Sequence, residues 1–159
     1  MKFLKDSGNR WEYQMSLQEA MCLRALIKQF PLTPAALVKI SRTEAGDKAT
    51  EREQLLNESL AEHREELKRE ARKLLAAGRL REGEHGWRLR INGEERETLL
   101  QLLNDIRVES WRALGEPENI EPEASPPAKT GLNLHTLMQL AGFFEFELLN
   151  LGAGNQSAH

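Results

Sequence analysis

The sequence predicts a mainly α fold with a small β element: a helical bundle-like single domain with a short N-terminal strand and a β-hairpin around residues 79–91. Three observations carry that expectation. Apolar residues recur at helical spacing in five segments, which is the signature of helices that bury one face. Residues suited to open helices, Ser16, Thr33 and Asn92, stand immediately before three of them. Alternation with period two is confined to two short stretches, so the β content is small.

Taken in order, Trp11-Glu12-Tyr13-Gln14-Met15 follows the turn residues Ser7-Gly8-Asn9 and alternates large apolar with polar side chains. It reads as a strand with Trp11, Tyr13 and Met15 on one face. Ser16 and Glu19 have the spacing of a capping box, and Ala20, Leu23, Ile27 and Phe30 form the buried stripe of the helix they open. Pro31 ends that helix. Thr33-Pro34 starts a short helix to Ile40, and polar residues Ser41 to Thr50 read as a loop. The longest helical pattern spans 51–77, with Leu56, Leu60, Leu67, Ala71 and Leu74 on one stripe and Gly78 placed to end it.

Around Gly83-Glu84-His85-Gly86, the residues Leu80, Trp87, Leu89 and Ile91 return to strand spacing and predict the hairpin. Asn92 caps a helix over 93–114 whose inner face is Leu99, Leu103, Ile106 and Leu114. Residues 116–131 hold four of the six prolines and read as an internal linker rich in Pro and Glu. The last helix, about 134–151, has its main stripe at Leu134, Leu137, Met138, Ala141, Phe144, Leu148 and Leu151. Because Leu140, Phe143, Phe146 and Leu149 carry apolar surface around the rest of it, a self-association surface is expected at Leu140, Phe143, Phe144, Phe146 and Leu149. The domain is thus expected over 1–151, with a disordered tail at 152–159.

The 159 residues, 40% of them hydrophobic and 30% charged, suffice for one core. One cysteine, Cys22, cannot form an internal disulfide, and Met1 to Asp6 is too charged for a secretory signal. The apolar run Leu137–Leu151 is broken by Gln139, Glu145, Glu147 and Asn150, so no membrane span is expected. Together these point to the cytoplasm. Residues 1–91 contain 18 Lys/Arg and 14 Asp/Glu, whereas 92–159 contain 4 and 11. The basic front and acidic back suit either a polyanion partner or association between copies.

Chemistry-bearing constellations are sparse. His63, His85, His135 and His159 share no metal-ligand spacing, and Cys22 has no neighbouring histidine to activate it, so neither catalytic residues nor cofactors are expected. Two other groupings stand out. Leu103-Asn104-Asp105-Ile106-Arg107 brings polar groups towards an apolar helix face, and Asn104, Asp105 and Arg107 read as a structural polar network with a carboxylate or carbonyl of another helix. The basic row Arg64, Lys68 and Arg72, followed by Arg88 and Arg90 in the hairpin, matches a winged helix, where helix 51–77 and hairpin 79–91 would contact nucleic acid. Interspersed glutamates and a sequence pI near 5.9 weigh against it.

Trp87-Arg88-Leu89, then Leu103-Asn104-Asp105-Ile106-Arg107, then Leu114-Gly115 resembles the most distinctive stretch of the bacterial domain-of-unknown-function family numbered 2017. That family has no established activity or site residues to transfer. Some members are encoded beside the adaptor of the Clp protease, so the resemblance implies a regulatory or adaptor-like role. The expectation is a bacterial, non-enzymatic protein that acts through protein–protein contacts, as a homodimer. The alternative is a winged-helix DNA-binding regulator.

Overall fold

The computed structural model describes residues 1–31, 47–115 and 133–150. They form a mainly α fold with one small antiparallel sheet. In chain order the elements are β1 (Lys2–Asp6), β2 (Arg10–Met15), α1 (Leu17–Gln29), α2 (Asp47–Ala76), β3 (Leu80–Gly83), β4 (Gly86–Asn92), α3 (Gly93–Ala113) and α4 (Leu134–Leu149). The short helix expected at Pro34–Ile40, the 116–131 linker and the 152–159 tail lie outside the described residues.

The sheet has strand order β1-β2-β4-β3, all neighbours antiparallel. Its register explains its two faces. Phe3 pairs with Tyr13, Tyr13 with Leu89 and Leu89 with Leu80, so one row across all four strands is apolar and packs into the core. The next row, Lys2, Gln14, Arg88 and Arg81, points the other way and is polar. β2 was expected and β1 was not. Lys2-Phe3-Leu4-Lys5 has little alternation of its own, and its strand conformation depends on the β2 edge and on Phe3 packing edge-on against Tyr13, ring centroids 5.6 Å apart.

Local signals set the helix ends. The Ser16 hydroxyl accepts from the Glu19 N–H at 3.1 Å while the Glu19 carboxylate accepts from the Ser16 N–H at 3.0 Å, and Asn92 and Glu95 repeat the arrangement at 2.8 and 2.9 Å. After α2, Gly78 has φ +67°, which lets its N–H reach the Leu75 carbonyl and the Arg79 N–H reach Leu74, both at 3.2 Å. The chain then turns directly into β3.

The core comprises the inner sheet face and the inner stripes of the four described helices. Ala20, Leu23 and Ile27 of α1 and its C-cap Phe30 are all buried, as the spacing predicts. α3 is its centre, with Leu99, Leu102, Leu103 and Ile106 fully buried. Leu102 joins the face expected from Leu99, Leu103 and Ile106, and Leu114 lies half-buried at the end. α4 packs antiparallel on α3. Arg96, near the start of α3, donates to the Leu148 carbonyl near the end of α4, whereas Trp111 and Met138 line a common hollow at the opposite end.

α2 departs from expectation in two ways. It begins at Asp47, within the polar stretch read as a loop, because Asp47 to Thr50 continue the helix that follows. Its stripe is buried only at Leu67, Ala71 and Leu74, while Leu55 and Leu56 are 66% and 60% exposed and Leu60 is also exposed. The periodicity persists through 56–74, yet the first turns extend past the surface that α3 and α1 offer. Replacing Asn92 with Ala removes the acceptor for the Glu95 N–H and lowers stability by about 1 kcal/mol in chemical denaturation, whereas Asn92→Asp stays near wild type.

Candidate functional site

Two surfaces collect the residues singled out by the sequence. The first is α4. Its inner residues Leu137, Ala141, Phe144 and Leu148 are buried against the core. The outer edge is Gln139, Phe143, Phe146, Leu149 and Asn150, all exposed, with Phe146 at 61% and Leu149 at 58%. Spacing of three and four residues puts them on one stripe that has no charged side chain. Phe143, Phe146 and Leu149 therefore lie where the self-association surface was expected. Leu140 is only partly exposed. Phe144 is corrected: helical geometry turns it a further 100° from Phe143 into the core, where it is 1% exposed.

The end of α4 is tied to the sheet and to α3. The Leu148 carbonyl, one of the last four that a helix leaves unbonded, accepts from the Arg96 Nη2 and Nε at 2.8 and 3.2 Å and from the Tyr13 hydroxyl at 3.4 Å. A guanidinium suits this negative helix end, and the same group lies 5.4 Å from the Trp11 ring centroid.

The polar stretch of α3 splits between two sides. Asn104 and Arg107 lie at the solvent-exposed rim between α3 and α4; Arg107 approaches the Glu145 carboxylate of α4 at 3.4 Å and the Asn104 side-chain carbonyl at 3.4 Å. The expected carboxylate of another helix is thus Glu145. These two groups are not drawn into the core, because the α3–α4 seam buries Leu103 and Ile106 beneath them. Asp105 turns the other way, towards α2. There, Arg64 and Glu109 form a buried ion pair at 3.0 Å that sequence reasoning missed, since its partners are 45 positions apart on different helices. Burial holds the Asp105 carboxyl above its ordinary value of 3.8, while the nearby charges of Arg64 and His63 pull it down.

The second surface is basic. Of the proposed nucleic-acid contacts, Arg64 is committed to Glu109, and Arg88 and Arg90 both reach Glu12, at 2.8 and 3.3 Å. Lys68 lies 3.9 Å from Glu65, and Arg72 is exposed. Arg90, but not Arg88, lines a cleft at one end of the sheet, of about 450 Å³, together with Arg10, Arg79 and Arg81. No local pattern marks Arg10. Only the antiparallel pairing of β2 with β4 brings it beside the hairpin.

Among the described residues, no three His, Cys, Asp or Glu side chains converge as a metal site requires, and no helix is long and apolar enough to cross a membrane. No family model matches the chain, and no curated protein or solved structure shows significant similarity to it.

The buried polar groups give two expectations. Arg64→Ala removes the guanidinium that faces the buried Glu109 carboxylate and costs about 3 kcal/mol in urea denaturation, and the pair Arg64→Met with Glu109→Leu regains most of it. For Asp105 the folded pKa exceeds the unfolded one, so the folded state holds the proton more tightly and stability falls as pH rises from 3.8 through the raised value. Asp105→Asn therefore melts higher than wild type at pH 7, and the gap narrows as pH is lowered towards 3.8.

Proposed function

We propose that the protein is a non-enzymatic docking protein of the bacterial cytoplasm that self-associates through the outer stripe of α4. One observation carries the reading: Phe143, Phe146 and Leu149 are exposed on a stripe whose remaining members, Gln139 and Asn150, are uncharged. In a two-fold dimer each residue near the axis meets its own copy, so any charge there would face a like charge. An uncharged apolar stripe avoids that cost, and a second copy of the chain is the occupant it suits best.

The size of the stripe sets the expected strength. A 16-residue helix is about 24 Å long, so one helix face from each copy makes a contact at the small, weak end of the interface scale. Micromolar association follows. The resemblance of Trp87 to Gly115 to an adaptor-linked family agrees with a role in docking. The winged-helix alternative has fewer free cations at its disposal, because Arg64, Arg88 and Arg90 already face carboxylates.

Sedimentation equilibrium or light scattering tests the proposal across a concentration series. The wild-type protein is expected to pass from monomer to dimer in the micromolar range. Phe146→Glu and Leu149→Glu are each expected to weaken the dimer by more than about tenfold, since truncating or charging an interface anchor costs roughly 2 kcal/mol. Their exposed positions predict unchanged helix content. A monomer at every concentration, or a dimer that tolerates both substitutions, contradicts the reading.

A further inference from the structure

We infer that the cleft at the end of the sheet is a binding site for a small organic phosphate, with Arg10 and Arg81 as its principal anion contacts. The inference is independent of self-association, because the cleft is built from the sheet and the start of α3 and α4 does not line it.

Its construction follows from the register. Arg10 on β2 pairs with Asn92 on β4, and the Arg90 N–H of β4 donates to the Arg79 carbonyl that leads into β3. Three adjacent strands thus deliver Arg10, Arg90, and Arg79 with Arg81 to one concave surface. Arg10 lies opposite Asn92 and Arg81 opposite Arg88, so the two arginines stand about 10 Å apart across the sheet and about 13 Å apart along it, and their long side chains approach a ligand from opposite ends of the cleft. Trp11, half-buried, also lines the cleft, whereas the Ile91 side chain is buried in the core beneath it.

Charge selects the ligand. Arg79 is paired with Glu95 at 3.0 Å and Arg90 with Glu12 at 3.3 Å, and both carboxylates also line the cleft. Among the described residues, neither Arg10 nor Arg81 has a carboxylate within ion-pair distance. The lining side chains described therefore carry four positive and two negative charges, an excess of two. A phosphate monoester, largely dianionic near neutral pH, balances that excess, and planar guanidinium groups match its oxygens in pairs. The volume of about 450 Å³ lies in the usual range for small-molecule sites and leaves room for an organic group beside Trp11. A nucleoside monophosphate or a sugar phosphate has the required size and charge.

Isothermal titration calorimetry at low salt tests the assignment, with adenosine monophosphate and glucose 6-phosphate as probes. Adenosine, glucose and inorganic phosphate serve as counterparts that lack either the charge or the organic group. At least one monoester is expected to bind more tightly than inorganic phosphate, and adenosine and glucose are expected not to bind. Arg10→Gln and Arg81→Gln should each weaken binding about tenfold, the loss of one charge-assisted contact. Arg52→Gln, on the exposed first half of α2, should leave it unchanged. Because Arg10 and Arg81 are exposed and have no carboxylate partner among the described residues, melting curves of both variants should overlay wild type. Failure of both monoesters to bind at millimolar concentration would overturn the inference. So would equal binding of adenosine or inorganic phosphate, full affinity in the two variants, or binding of a DNA duplex in place of either monoester.

Discussion

The fold depends on the burial of α3. Its residues Leu99, Leu102, Leu103 and Ile106 reach no solvent, and α1, α2, α4 and β4 all pack around it. Side chains of that size each contribute roughly 1.5–3 kcal/mol when fully buried, so this one helix supplies a large part of the hydrophobic stabilisation. The direction of α4 follows from it. Antiparallel packing brings the last turn of α4 over the start of α3, where Arg96 and Tyr13 satisfy the Leu148 carbonyl and join helix to sheet. A helix end pinned by a cation and a hydroxyl has a fixed rotation, and that rotation decides which stripe of α4 remains outside.

The unburied surfaces are consequences of that arrangement. α4 is apolar around most of its circumference, but α3 and α1 cover only one side, so Phe143, Phe146 and Leu149 remain at the surface. α2 is longer than its support: its second half supplies Leu67, Ala71 and Leu74 to the core, and its first half carries Leu55 and Leu56 in the open. The sheet spends its inner face on the core and turns its outer rows of arginines to solvent, with Glu12 placed among them to neutralise two. The excess of basic residues in the first 91 positions is thereby gathered at the strands and their cleft.

Much of the local structure was legible because it rests on neighbours in sequence. Ser16 with Glu19 needs only three intervening bonds of helix, and the Trp11–Met15 alternation needs only the pleat. The hairpin around Gly83 and Gly86 was legible for the same reason, as was Gly78 at the end of α2. What failed depends on distant partners. No pattern within 51–77 distinguishes Leu56 from Leu67, since their difference lies in where α3 ends beside them. The Arg64–Glu109 pair, the Glu145 partner of Arg107 and the meeting of Arg10 and Arg81 in one cleft all require tertiary pairing that periodicity does not encode. Phe144 was misplaced because a helix so apolar gives little contrast between its faces. Here packing, and not composition, decides the inward side.

Hydrogen–deuterium exchange followed by mass spectrometry, recorded at dilute and concentrated protein, tests most directly whether the α4 stripe is a contact between copies. Amides that open by local fluctuation gain protection when their surface is covered. Peptides covering residues 143–150 are expected to become more protected as concentration rises, while α3 stays slow throughout and residues 50–60 of α2 stay fast. Protection that rises at 50–60 and not at 143–150 would contradict it, and so would exchange in α4 that is indifferent to concentration.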